Sequence, residues 1–209
     1  MSTANEEEIL IDEASSGNEQ ALAQLFERHR HRLRKMVLLR LDQRVQARFD
    51  ASDVVQEAFV EAARKLAEYG KDQNIPFFLW LRMITGERLI QLHRMHLGAT
   101  KRNADREVSL NKAAIPEASS VYLASQLIGT FTSVDRNIIR VEVQQKLQVM
   151  LNQLDLEDRE VIAMRHFEEL STEEIATVLG LTRSGVLKKY TRAVRRLREA
   201  ISNSGLEVI

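Results

Sequence analysis

Arg183, Lys188, Lys189, Arg192, Arg195, Arg196 and Arg198 fall within 17 residues that contain a single acid, Glu199. Cations at this density bind polyanions, because each one set against a phosphate releases condensed counterions. A second block runs from Glu27 to Arg48, with eight basic residues (Arg28, Arg30, Arg32, Arg34, Lys35, Arg40, Arg44 and Arg48) against Glu27 and Asp42. Between the two blocks, Asp155 to Glu174 carries eight acidic residues against Arg159 and Arg165. A charge block on its own also describes a solvated helix face. Residue types suited to covalent or metal chemistry are sparse. The five histidines (His29, His31, His93, His96 and His166) make no HExxH pattern, and the spaced pair His93 and His96 has no carboxylate beside it in sequence. No glycine-rich phosphate loop is present. The absence of cysteine excludes disulfides, thiolate zinc sites and cysteine nucleophiles. The reading is a non-enzymatic protein with no cofactor, no metal and no small-molecule substrate.

The elements that carry these residues read as all-α. The 209-residue chain has 30 basic and 30 acidic residues, so its net charge of zero hides strong local sorting. Only eight glycines and two prolines occur, too few for a turn-rich β architecture, and apolar residues recur at helical spacing almost throughout. A first helix is expected over Glu19 to Arg40, with Leu22, Leu25, Phe26, Leu33 and Val37 as its stripe. Asp50 or Ser52 caps a second, in which Val54, Val55, Ala58, Phe59, Ala62 and Leu66 face inward and Asp53, Gln56, Glu57, Glu61 and Arg64 outward. Tyr69 and Gly70 end it, and Pro76 opens a third, very apolar helix. Asp105 to Val134, poor in charge and weakly periodic, reads as a linker between two helical domains. The acidic N-terminus and the absence of any run of about 20 apolar residues point to a cytoplasmic protein without membrane insertion.

Leu170 to Leu197 has the spacing of a helix-turn-helix. Ser171 caps a short helix with Glu174 as its capping-box partner, Gly180 breaks it, Thr182 caps the next, and Val186, Tyr190, Val194 and Leu197 give that helix a buried edge. If the second helix enters a major groove, Arg183, Ser184, Lys188, Thr191 and Arg192 face outward, with Thr182 and Lys189 beside them. Lys188 and Arg192, four apart, share a face from which both address guanine. Arg195, Arg196 and Arg198 then serve as phosphate ligands. On this reading Arg192→Ala changes sequence preference, whereas Arg196→Ala weakens binding on every sequence.

With these segments in order, the chain resembles the bacterial sigma factors of the extracytoplasmic-function (ECF) type, the minimal two-domain branch of the family. DASDVVQEAFVEAARKL (Asp50 to Leu66) resembles its core-polymerase-binding helix, and FFLWLRMITGERLIQLHRMHLGATKR (Phe77 to Arg102) its promoter-melting helix. The resemblance implies an acidic tail over residues 1–17, a region-2-like domain over 18–104, a flexible linker over 105–134 and a region-4-like domain over 135–203. It further implies polymerase contacts at Asp53, Gln56, Glu57 and Arg64. Capture of a flipped promoter base falls to Lys71, Asp72, Gln73 and Asn74, with Phe77, Phe78 and Trp80 offering aromatic faces. Guidance of the strand falls to Arg82, Arg88, Arg94, Lys101 and Arg102. The implied partners are core RNA polymerase, promoter DNA with minus-35 and minus-10 elements, and an anti-sigma factor. One departure stands out: Leu187 occupies a recognition-helix position that is often basic in the family. The competing reading is a helix-turn-helix regulator that binds operator DNA without being a polymerase subunit.

Overall fold

The computed structural model describes residues 3–46, 48–70, 75–97, 115–131 and 137–203. Every regular element among them is helical: α1 (Thr3–Ser15), α2 (Glu19–Arg40), α3 (Gln43–Gln46), α4 (Ala51–Tyr69), α5 (Phe77–Leu97), α6 (Ser120–Phe131), α7 (Asn137–Gln153), α8 (Leu156–His166), α9 (Thr172–Leu179) and α10 (Arg183–Asn203). The chain divides into two compact units, the first comprising residues 1–37 and 41–116 and the second 38–40 and 117–209. No described helix is long and apolar enough to cross a membrane.

In the first unit, local signals set the helix ends. The Asn18 side chain accepts from the Gln20 and Ala21 N–H groups at the start of α2. Asp50, rather than Ser52, caps α4, and the Asp53 carboxylate returns the bond to the Asp50 N–H at 3.2 Å. The buried edge of α4 (Val54, Val55, Ala58, Ala62 and Leu66) packs on α5. Beneath it, Leu25, Leu33 and Met36 of α2 are fully enclosed. An aromatic group joins α4 to the start of α5: the Tyr69 ring lies 4.7 Å from Trp80 and 5.3 Å from Phe77, and Phe77 lies 5.5 Å from Trp80. The Tyr69 hydroxyl donates to the Ile75 carbonyl at 2.8 Å. Burial, with Glu7 adding repulsion, pushes its pKa up to about 12, so it remains a donor.

Two segments differ from the sequence expectation. Residues expected as an acidic tail form α1, whose Leu10, Ile11 and Ala14 share one buried edge. Glu6 pairs with Arg28 at 3.2 Å, and Glu7 Oε2 lies 3.2 Å from His29 Nε2, a contact that keeps the Glu7 carboxyl below the usual carboxylate range despite its burial. Within the expected linker, Ser120–Phe131 is helical, and Leu123 and Ala124 lie in the core of the second unit with Leu147, Leu151 and Ile162. The low charge that read as linker is the composition of a helix that supplies core residues. Ala118, just ahead of α6, is buried in the same core, and linker residues 105–114 and 132–134 lie outside the described residues.

The spaced histidines are engaged separately. His93 Nε2 accepts from the Asp42 N–H at 3.3 Å, and the His96 ring lies tilted against Phe49 with centroids 4.7 Å apart. Burial lowers the His93 pKa, partly offset by Asp42. Its folded form therefore takes up a proton at lower pH than the unfolded chain, whose value is 6.5. Stability contributed by the neutral ring is complete above that value and is lost as pH falls through it. The expected result is a lower melting temperature for the first unit at pH 5.5 than at pH 7.5, a difference that His93→Gln reduces. Fluorescence of Trp80, the sole tryptophan, reports it.

Candidate nucleic-acid interface

The second unit builds the motif from the residues expected. The Ser171 N–H donates to Glu174 Oε2 at 2.7 Å and the Glu174 N–H to Ser171 Oγ at 3.1 Å, closing the capping box of α9. Gly180 ends that helix in the left-handed region at φ 64° and ψ 35°. The Leu181 N–H then returns to the Ala176 carbonyl at 2.9 Å, and Thr182 Oγ1 accepts from the Gly185 N–H at 3.1 Å to start α10. Ile175, Val186 and Ala193 are buried where α9 and α8 meet α10. A Cβ on Gly180 meets nothing within 4 Å, so Gly180→Ala pays only for backbone conformation. The expected loss, read by chemical denaturation, is about 1 to 2 kcal/mol, the cost of a left-handed non-glycine residue.

The basic run of α10 is split between two roles. Lys189, Arg192 and Arg196 lie along the edge facing the acidic start of α8. Lys189 Nζ meets Glu157 at 2.6 Å, and Arg196 Nη1 meets Asp155 at 3.0 Å. Arg192 grips the fully buried Asp158 with two bonds, Nε at 2.7 Å and Nη2 at 2.5 Å. The Asp155 carboxylate takes part in this clasp and makes no capping hydrogen bond to α8, although its residue occupies the cap position. Arg192 was expected to read bases beside Lys188; it lines the same groove, but its guanidinium is engaged by Asp158. Lys189 likewise turns toward α8, and Arg196 stays half exposed while paired. Arg183 reaches back to Glu173 at 3.0 Å. Sequence reasoning missed Asp158. The sequence trace it left was the opposite charge of two blocks, acidic over residues 155–174 and basic over residues 183–199.

The outward face consists of Ser184, Leu187, Lys188, Thr191 and Arg195, which with the Arg192 edge line one shallow groove. Lys188 makes no ion pair among the described residues, and Arg195 pairs only with Glu199, one turn on, at 3.8 Å. Leu187 is 48% exposed between them.

In the first unit, Gln56, Val60 and Arg64 form a ridge at four-residue spacing on α4, with Val60 54% exposed at its centre. Asp53 lies near the head of the helix, exposed but engaged in the capping box. Glu57 Oε2 accepts from Arg88 Nε at 2.6 Å, and Arg88 Nη1 donates to Gln91 Oε1 at 3.0 Å, so these two expected site residues are joined across a groove between α4 and α5. Val60 belongs to neither the inner nor the outer set expected from the sequence. Two expected DNA contacts are corrected. Trp80 is 8% exposed within the aromatic group, and Arg82 is 5% exposed, so neither presents a surface to a strand. Phe77 and Phe78 are also buried, with Arg32 lying over the Phe78 ring at 3.6 Å. Arg94 is exposed near the end of α5. Lys71, Asp72, Gln73, Asn74, Lys101 and Arg102 lie outside the described residues.

Both units match known families. Residues 25–96 match sigma-70 region 2, and residues 144–197 match sigma-70 region 4. The RNA polymerase sigma-H factor of Pseudomonas aeruginosa is 27% identical over 205 residues, 98% of this chain and 96% of that protein. The ECF RNA polymerase sigma-E factor of Escherichia coli is 27% identical over 203 residues, 97% of this chain and 96% of that protein. The structure of CnrH in complex with the cytosolic domain of CnrY aligns with a TM-score of 0.55 at 25% identity, covering 96% of this chain and 99% of that one. A two-unit helical fold with region 2 ahead of region 4 defines a sigma-70-type transcription factor. The chain belongs to the ECF sigma factors, and its function is that of an RNA polymerase sigma factor.

Proposed function

We propose that the chain binds core RNA polymerase through the exposed ridge of α4, and reads the minus-35 element with the outward face of α10. In the same reading the first unit engages the minus-10 element and assists strand opening, with Arg88 and Arg94 toward the strand. Polymerase performs the chemistry, in the cytoplasm. The observation that carries this is the division of labour on α10: one basic edge is neutralised by α8, and the other is left outward with Lys188 and Arg195. A cytosolic protein domain of the kind seen with CnrH is the partner that restrains it, in the role of an anti-sigma factor.

The test combines purified chain, core polymerase and a library of upstream fragments. Specific initiation is expected only with both proteins present. Gln56→Lys with Arg64→Glu is the informative variant. Both side chains are exposed, whereas reversing Glu57 also breaks its pair with Arg88. The double variant is expected to weaken polymerase binding at least about tenfold and to leave the melting temperature unchanged. Tight operator binding by the free chain without polymerase dependence overturns the reading in favour of a conventional regulator.

A further inference from the structure

Leu187 is the fifth residue of α10, in the half of a recognition helix that meets base edges. A single exposed leucine is ordinary on a protein surface. Its position is less so. Ser184 precedes it by three residues and Thr191 follows by four, so all three lie along one face, and this face is the part of α10 that the α8 carboxylates leave open. The adjacent Val186 and, further along, Ala193 are buried, and the half-buried Tyr190 places its hydroxyl 3.0 Å from exposed His166, so the helix packs on its neighbours without Leu187. Leucine offers no donor for guanine or phosphate. The one apolar feature that a base edge presents in the major groove is the thymine 5-methyl group.

We propose that Leu187 reads a thymine in the upstream promoter element, its side chain packing on the 5-methyl group while Lys188 and Arg195 hold the flanking backbone. This assigns part of the promoter preference to an apolar contact, and it rests on the sigma-factor reading above. Charge complementarity commits the surface to DNA: its other long side chains are a lysine and an arginine, which suit a polyanion.

The experiment uses the full chain with core polymerase. Upstream fragments that support initiation are selected from a randomised library, and each thymine of the best sequence is then replaced singly by uracil, which removes only the methyl group. One position is expected to lose about fourfold in initiation at limiting holoenzyme, the worth of burying one methyl-sized group. Leu187→Ala is expected to match that loss on the thymine template and to show no further loss with uracil, with an unchanged melting temperature. At the same position, 5-methylcytosine is expected to outperform cytosine with the native chain and to equal it with Leu187→Ala. Initiation insensitive to uracil at every position overturns the proposal, as does uracil sensitivity that persists in Leu187→Ala. Equal loss by Leu187→Ala on all templates places the side chain at a protein contact and also overturns it. Absence of polymerase-dependent initiation is a separate result, which removes the sigma-factor reading and this inference with it.

Discussion

Arg192→Ala destabilises the second unit and leaves its sequence preference unchanged. The guanidinium is the bidentate partner of Asp158, whose carboxylate is fully enclosed, so truncating the arginine strands a buried charge. Arg192 is itself 39% exposed and Arg196 Nη1 lies 4.0 Å from the same carboxylate, so the loss is smaller than that of a pair buried on both sides. The melting transition of the second unit is expected to fall measurably. Removing both partners together is much milder, because no charge is left unpaired, and Arg192→Leu with Asp158→Leu is expected to regain most of the loss. Calorimetry of the three variants checks the coupling. Binding to a panel of upstream sequences, at a temperature where all are folded, checks the specificity. A reordered panel with an intact melting temperature would return Arg192 to the base-reading face.

The Arg192 clasp also shows where sequence reading stops. The capping box of α9, the left-handed Gly180 and the Thr182 cap were legible because each is decided within about four residues by backbone donors and local side chains. The direction of a long arginine is decided by a partner 34 residues away in sequence, and helical spacing carries no record of it. Spacing put Lys188 and Arg192 on one face, whereas the α8 carboxylates turn Arg192 to a different task. The same gap hid α6, whose Leu123 and Ala124 are buried against residues distant in sequence, and α1, whose acidic exterior drew attention from Leu10, Ile11 and Ala14. Leu187 was visible as an oddity, but its exposure required the fold.

Trp80→Ala destabilises the first unit by about 3 to 5 kcal/mol, the usual cost of deleting a large aromatic from a core. That is a large share of the roughly 5 to 15 kcal/mol that holds a domain of ordinary stability together. The indole is nearly enclosed, 4.7 Å from the Tyr69 ring and 5.5 Å from Phe77, so truncation opens a cavity between the end of α4 and the start of α5. Trp80→Phe keeps a ring in the cluster, opens a smaller cavity and is expected to cost less than Trp80→Ala. The functional consequence follows from burial. If Trp80 acts by supporting the helix rather than by stacking on an unpaired base, strand opening falls only as the folded fraction falls. Circular dichroism gives that fraction, and permanganate reactivity of unpaired thymines in the polymerase complex gives the opening. Opening per folded molecule is expected to stay within about twofold of native, since a lost base stack would cost about 1 to 3 kcal/mol. A deeper loss at full folding would mean that the cluster opens on the promoter and that the indole reaches DNA after all.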